Sequence, residues 1–425
     1  MDLVSTLILF LTTLTMRRSL VFLCYVLSLA DIATSQQSTA NAEAAFRQLQ
    51  TWYNTASGLW TTTGWWNAAN CLTVLGDLAA VDPNVRSNIT GVMSNTFTQA
   101  QMNNLQMTKV VLPDFNYVCL YGSSTSTTDN VTLVNYIPVH APASVSTRQF
   151  RGFLNDYYDD EGWWALAWIQ AYDITGNRDY LSMAESIFAD MKTGSNTPCS
   201  NGVSGIWWDK PRTYVNAIAN ELYLSVAAHL ANRASNRASY LTIARDQWSW
   251  FQGTGMINAQ GTINDGLTSE CRNNGGTVWS YNQGVILGGL VELSRATGDP
   301  SYINTAKSIA SAAIRALSDS NGILHDPCEP NCGADGAQFK GIFMRNLQRL
   351  HRQSPDSSYF TFIANNAKSI WANDKDPANN ALGVNWAGPF IPPADASTQS
   401  SALDALVAAV TVGVRRVARG SRWVA

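Results

Sequence analysis

Charge is scarce in this chain. Only 14% of its 425 residues are Asp, Glu, Lys or Arg, and they balance to −3 with a pI near 5.8. No basic surplus exists to meet a phosphate backbone, which excludes nucleic acid as a partner. Histidine is scarcer still. The four residues His140, His229, His325 and His351 show no metal-ligand spacing and no HExxH. GxSxG, a P-loop and a GxGxxG after a strand are all missing, which removes the usual serine-hydrolase, nucleotide and dinucleotide readings. No apolar run reaches the roughly 20 residues that a membrane span requires. Asp326, Glu329, Asn331 and Asp335 gather acids in one stretch but lack EF-hand spacing, and read as a loop pinned by Cys328 and Cys332. No metal and no cofactor is expected.

What is present is apolar and aromatic. The chain is 46% hydrophobic and carries 15 Trp and 15 Tyr. It is long enough for one large core. Many indoles in a chain of low charge suit flat apolar faces for neutral, hydroxylated ligands such as sugars, although most aromatic residues must serve the core. Residues 1–35 read as an export segment: Met16-Arg17-Arg18, then an apolar stretch, then small residues near Ala30, Ala33 and Ser35. Met16 offers an alternative start. A secreted, extracellular protein is expected. With Cys24 inside that segment, six cysteines remain (Cys71, Cys119, Cys199, Cys271, Cys328, Cys332), enough for up to three disulfides. Cys328 and Cys332 are expected to pair, and the other connectivities stay open. Asn88 and Asn130 head N-glycosylation sequons.

The chain repeats itself. "TGNRDYLSMAESIF", "ASNRASYLTIARDQW", "TGDPSYINTAKSIA" and "SPDSSYFTFIANNAKSIW" share a polar turn, a tyrosine and a following helical pattern. The marker tyrosines Tyr180, Tyr240, Tyr302 and Tyr359 lie about 60 residues apart. After each tyrosine the pattern is amphipathic, as in Tyr302, Ile303, Ala306, Ile309, Ala310, Ala313, Ile314 and Leu317. Before each turn it is apolar on nearly every side, as in "YVNAIANELYLSVAAHLA" and "YNQGVILGGLVELSRA". Helices of the second kind belong inside. Inner and outer helices alternating in hairpins predict an all-α (α/α)6 toroid, one domain over 36–412. Further helices are expected near 41–58, 65–80 and 397–412, with a non-helical insertion over about 113–150 and a tail at 413–425.

In such a toroid, the starts of the inner helices surround one cavity. "YYDDEGWW" (157–164) places adjacent Asp159 and Asp160 at such a start. Asp is also the favoured helix N-cap, and acids suit a first turn. A cap needs one acid, however, and here three stand among aromatics. Two neighbouring carboxylates at a helix entrance can flank one glycosidic bond, one as general acid and the other ionised. "TGWWNAANC", "GIWWDKPRTYVNAIANE", "INDGLTSEC", "TVWSYNQG", "CEPNCGADGAQFKG" and "GVNWAGP" hold polar and aromatic residues at comparable places.

Together, "DDEGWWALAWIQAYDITGNRDYL", "GVSGIWWD", "NAIANELYLSVAAHL", "WSYNQGVILGGLVEL", "CGADGAQFKGIF" and "SALDALVAA" resemble glycoside hydrolase family 76, the α-1,6-mannanases and their fungal cell-wall relatives. The resemblance runs over roughly 40–412. It implies the same (α/α)6 barrel and a retaining mechanism, with Asp159 as nucleophile and Asp160 as general acid/base. It further implies endo-hydrolysis of α-1,6-mannosidic linkages in mannan, or transglycosylation on cell-wall or GPI mannose glycans. A glycan-binding toroid without catalysis is the reading from a different class. Clustering and these motifs nominate Trp65, Asn67, Trp164, Trp208, Lys210, Asp265, Tyr281, Asn282, Gln283 and Lys340 for substrate binding. Arg415, Arg416, Arg419 and Arg422 interrupt any apolar tail of the kind that directs a GPI anchor, so membrane attachment is not expected except through an anchor lost from the sequence. A monomer is expected.

Overall fold

The structure, a computed structural model, describes residues 36–111, 117–123, 152–200 and 202–420. The export segment, Asn130 and most of the expected insertion lie outside the described residues, as do the side chains of Cys119 and of the C-terminal arginines.

Long helices of two kinds alternate along the chain. The inner set is α2 (Trp65–Val81), α4 (Tyr158–Thr175), α6 (Ala217–Ala231), α8 (Ser280–Thr297), α11 (Phe339–Gln353) and α13 (Ala396–Gly420). The outer set is α1 (36–50), α3 (Pro83–Gln99), α5 (Arg178–Met191), α7 (Arg237–Gly253), α9 (Ser301–Ala316) and α12 (Ser357–Asn373). A single turn, α10 (Gly333–Gly336), precedes α11. Each inner helix packs on the next, and α13 returns to α2, which closes the ring. This is an (α/α)6 barrel. The burial pattern explains the alternation: every residue of α6 is buried, whereas α9 buries one stripe of Ile303, Ala306, Ile309, Ala310, Ala312 and Ala313. Each marker tyrosine sits in the first turn of an outer helix.

Small residues let the inner helices touch. A Cβ at Gly284 of α8 would lie 2.6 Å from the Phe343 Cα of α11, and one at Gly341 would lie 2.5 Å from the Ser401 Cα of α13. Side-chain amides fasten the loops to this wall. Asn220 accepts from Ile206 N and donates to Ile206 O; Gln283 does the same to Ile263; Gln399 accepts from Leu382 N.

Three expectations are corrected. The first helix ends at residue 50 rather than 58, because Asn54 Oδ1 accepts from Ala56 N and Gly58 takes a positive φ of 71°, which turns the chain into a hairpin of β1 (Tyr53–Asn54) and β2 (Leu59–Trp60). The non-helical insertion begins before 113, with β3 (Leu105–Val111) antiparallel to β4 (Tyr117–Ser123). The third concerns disulfides. Cys328 pairs with Cys332 as expected, and Cys199 with Cys271, but Cys71 is free and buried in the wall, its thiol 3.6 Å from Ala396 O, which rules out the set of three.

Candidate active site

The acid pair lies within the first turn of α4, and neither aspartate is its N-cap. That position belongs to Tyr157, which makes no side-chain cap bond. Both aspartates are buried. Asp159 Oδ2 accepts from Trp208 Nε1 at 3.1 Å, and Asp160 Oδ2 accepts from Asn155 Nδ2 at 2.6 Å. The helix start is aligned by a short backbone ladder: Tyr158 N donates to Trp208 O, and Lys210 N to Asp156 O, each at 2.9 Å. The loop before α6 is thereby joined to the entrance of α4, and the Trp208 ring lies 5.0 Å from that of Tyr157.

Further acids converge on Tyr281 at the start of α8. Its phenol is pushed well above the ordinary range by burial, and then by the charges of Asp265, Asp159, Glu221 and Asp335. Asp265 accepts from the Tyr214 hydroxyl at 2.7 Å. Burial lifts its carboxyl to about 6 against that bond, and Asp159 adds to the rise. Glu221 on α6 is wholly buried and held well above its usual range, first by burial and then by Asp265. Asp335 Oδ1 accepts from Trp66 Nε1 at 2.6 Å, and Trp66 stacks on Trp163 with ring centroids 5.6 Å apart. Under that stack Arg345 pairs with Asp404 at 2.9 Å, bonds Asn70, and lies 5.8 Å over the Trp163 ring. The entrance to the barrel thus presents several carboxylates over a floor of two indoles. Such a surface can bond sugar hydroxyls and supply both a nucleophile and a proton carrier.

Of the nominated binding residues, Trp208, Asp265 and Tyr281 join the acid pair. Others are turned elsewhere, and the reasons are physical. Trp65 and Trp164 are fully buried against each other and Phe153, so neither offers a face to a ligand. Gln283 is spent on Ile263, and Asn67 faces Gln338 at 3.0 Å. Lys210 is paired with Glu161 and Asp190, each at 2.8 Å. Lys340 is buried, paired with Glu329 at 2.7 Å, bonded to Val384 O and 4.4 Å over Trp386. Asn282 is buried inside the wall, and neither end of its amide meets a hydrogen-bond partner among the described residues. The residues missed are Trp66, Trp163, Asn155, Tyr214, Glu221 and Asp335. In two of the three Trp pairs, Trp65–Trp66 and Trp163–Trp164, the nominated member packs against Phe153 and its neighbour joins the Trp66–Trp163 stack, whereas in Trp207–Trp208 the nominated Trp208 bonds Asp159. Helical phase from Asp159 to Trp163, four residues on, carried that signal. The acids near Cys328 are engaged by donors: Ser280 bonds Asp326, Lys340 pairs with Glu329 and Trp66 bonds Asp335.

The sequence pattern of glycosyl hydrolase family 76 matches residues 141–418. The chain belongs to this family. It is 29% identical over 233 residues to the mannan endo-1,6-alpha-mannosidase DCW1 of Candida albicans, covering 50% of this chain and 48% of that protein. The chain spans about half the length of the curated relatives it matches. Its fold is similar to that of the GH76A alpha-1,6-mannanase from a Salegentibacter species, with a TM-score of 0.69 at 19% identity over 88% of this chain and 98% of that one. A variant of that enzyme with two consecutive aspartates replaced by asparagine is inactive and was solved with alpha-1,6-mannotriose. Dfg5 from Chaetomium thermophilum, solved with glucosamine, aligns with a TM-score of 0.67 at 18% identity over 90% of this chain and 91% of that one.

Proposed function

We propose that this family 76 member is a secreted glycosidase that cleaves α-1,6-mannosidic linkages inside mannan with retention at the anomeric carbon. The observation that carries the reading is the adjacent pair Asp159 and Asp160, each bonded by a different donor at the start of one inner helix. In this scheme the Asp159 carboxylate attacks the anomeric carbon while the glycosidic C–O bond breaks, and Asp160 gives its proton to the departing oxygen. Water then attacks the glycosyl ester, Asp160 takes the water's proton, and Asp159 leaves as a carboxylate. In this reading Asp265, Tyr214, Tyr281 and Asp335 bond hydroxyls of the sugar, and Trp208, Trp66 and Trp163 serve as aromatic walls. The inactive double-asparagine variant of the Salegentibacter mannanase supports the choice of an adjacent aspartate pair.

A second reading, transfer of the mannosyl unit to a sugar hydroxyl on a wall or GPI glycan, is favoured by the excess of acids around Tyr281. Those carboxylates also suit an amino sugar, the ligand found in the Dfg5 complex. Among the described residues no helix is long and apolar enough to cross a membrane. The deciding experiment incubates wild type, Asp159→Asn and Asp160→Asn with linear α-1,6-mannan and counts new reducing ends. Hydrolysis by wild type alone is expected. Full turnover by both variants would remove the pair from the chemistry. Transfer without net hydrolysis, seen with a labelled acceptor, would select the second reading, and binding with neither product would mark a lectin-like toroid.

A further inference from the structure

Asn155 lies just ahead of α4, is fully buried, and connects three parts of the helix start. Its Nδ2 donates to Asp160 Oδ2 at 2.6 Å, and its Oδ1 accepts from Tyr157 N at 2.9 Å. A backbone N–H only donates, so Tyr157 fixes which end of the amide is oxygen and turns the NH2 toward Asp160. The backbone N of Asn155 in turn donates to Glu161 Oε1 at 3.3 Å, the oxygen that Lys210 Nζ holds at 2.8 Å. Lys210 reaches on to Asp190 of α5. The third acid of the Asp-Asp-Glu run is therefore a brace for Asn155.

We propose that Asn155 is a positioning residue for Asp160: its amide holds one carboxylate oxygen through both halves of the reaction, with Glu161 and Lys210 fixing the amide in turn. The proposal rests on the assignment of Asp160 as acid/base above. The N–H bond to Oδ2 fixes the direction of the Asp160 carboxyl in its acid form and in its base form alike. The bond also favours the ionised form. Asp160 acts as an acid in the first half and as a base in the second. Losing the amide therefore makes Asp160 hold its proton more tightly, a weaker acid and a stronger base, and slows the first half more. The charged groups bearing on this segment are Asp156 beside Asn155, Asp159 and Glu161 from α4 itself, Asp209 and Lys210 from the loop before α6, and Asp190 from α5. None of them is altered by a change at Asn155.

The test uses Asn155→Leu and Asn155→Asp in the full chain. The aspartate variant keeps the acceptor for Tyr157 N and so preserves the turn even where leucine fails to fold. The expected result is a kcat and a kcat/KM both lower by about tenfold to a hundredfold, with KM little changed and no build-up of glycosyl-enzyme, because proton donation to the leaving oxygen becomes limiting. The alkaline limb of kcat/KM moves up by about one pH unit, further in the aspartate variant. An alkaline limb that stays in place in every variant that folds overturns the proposal, whatever happens to kcat, because a purely structural brace lowers activity without moving it. Carbodiimide labelling of Asp160 against pH, read by mass spectrometry, reports the same shift without any substrate. If wild type cleaves no mannan, the enzyme reading fails on its own, and an upward labelling midpoint in Asn155→Leu, or in Asn155→Ser where leucine fails to fold, neither of which adds a charge, still supports the brace while an unmoved midpoint overturns it.

Discussion

Trp208 Nε1 donates to Asp159 Oδ2 at 3.1 Å across 49 residues of sequence, so the loop before α6 sets the direction of a carboxylate on α4. Phenylalanine at 208 would keep an aromatic ring beside Tyr157 and delete this donor together with one ring of the indole. A hydrogen bond to a charged group contributes about 1.5–3 kcal/mol, and about 1.4 kcal/mol is tenfold in rate. Trp208→Phe is expected to lower kcat/KM on α-1,6-mannan by about tenfold or more, with a lower melting temperature from the lost packing. Equal kcat/KM for the two proteins would show that the indole is only a wall.

Lys210 makes a contrasting case. Its ammonium is shared by Glu161 and Asp190, and burial keeps the Glu161 carboxyl well above the usual range even with that partner. Removing one member of a buried pair strands the other. Lys210→Met is expected to cost about 3 kcal/mol in urea unfolding, and adding Glu161→Gln should recover part of that loss. A substrate-binding lysine would instead raise KM and leave stability unchanged, so the two measurements on Lys210→Met decide between roles.

The barrel was legible because helical burial follows a period, and periods survive in sequence. Tyr180, Tyr240, Tyr302 and Tyr359 mark outer helices, and unbroken apolar runs mark inner ones. The acid pair was legible because two like charges beside apolar surface have few structural uses. What sequence did not report is direction. Trp163 and Trp164 are identical letters, yet about 100° of helix turn sends one over the barrel axis and the other into the core beside Phe153. Gln283 and Lys340 have the chemistry of sugar ligands and use it on Ile263 O and Glu329. Asn155, which bonds the proposed acid/base, looks like any loop asparagine until Tyr157 N fixes its amide.

Cys199 and Cys271 join the loop before α6 to the loop before α8, the two segments that carry Trp208 and Asp265. They also line a cavity of about 160 Å³ together with Trp250 and Leu267. The bridge closes 72 residues, whereas Cys328–Cys332 closes only 4. In the chain-entropy view the longer loop gains more. Serine at both Cys199 and Cys271 is expected to lower stability by about 3 kcal/mol and to raise KM, while the same change at Cys328 and Cys332 costs less. Calorimetry on both double variants checks the order, and an equal or reversed loss refutes it.

His229 provides a pH test away from the acids of the barrel entrance. It is buried near the end of α6, its Nδ1 lies 2.8 Å from Ser225 O, and burial depresses its pKa to about 4, with Arg233 and Arg349 opposing a charge and Glu292 favouring one. The unfolded chain takes up this proton near pH 6.5 and the native protein does not until about 4. Stability from the neutral ring is therefore present above 6.5 and lost as pH falls toward 4, up to about 3 kcal/mol. Buried carboxyls act in the opposite sense. Asp265 and Asp326 are lifted to about 6, Asp374 and Asp404 to about 7, all mainly by burial, so the native state holds their protons better and gains stability as pH falls through those values. The total curve mixes both signs, and the difference between two proteins isolates one. Glutamine at 229 retains an amide donor for Ser225 O and does not titrate. The gap in urea midpoint between wild type and His229→Gln is expected to shift against wild type steadily from pH 7 to pH 5. Burial pushes the Glu292 carboxyl up, while His229 and then Arg233 and Arg295 hold it low; both arginine pairs persist in His229→Gln, so Glu292 stays ionised in both proteins over that range. Parallel curves for the two proteins would mean that His229 takes up its proton as readily when folded as when unfolded.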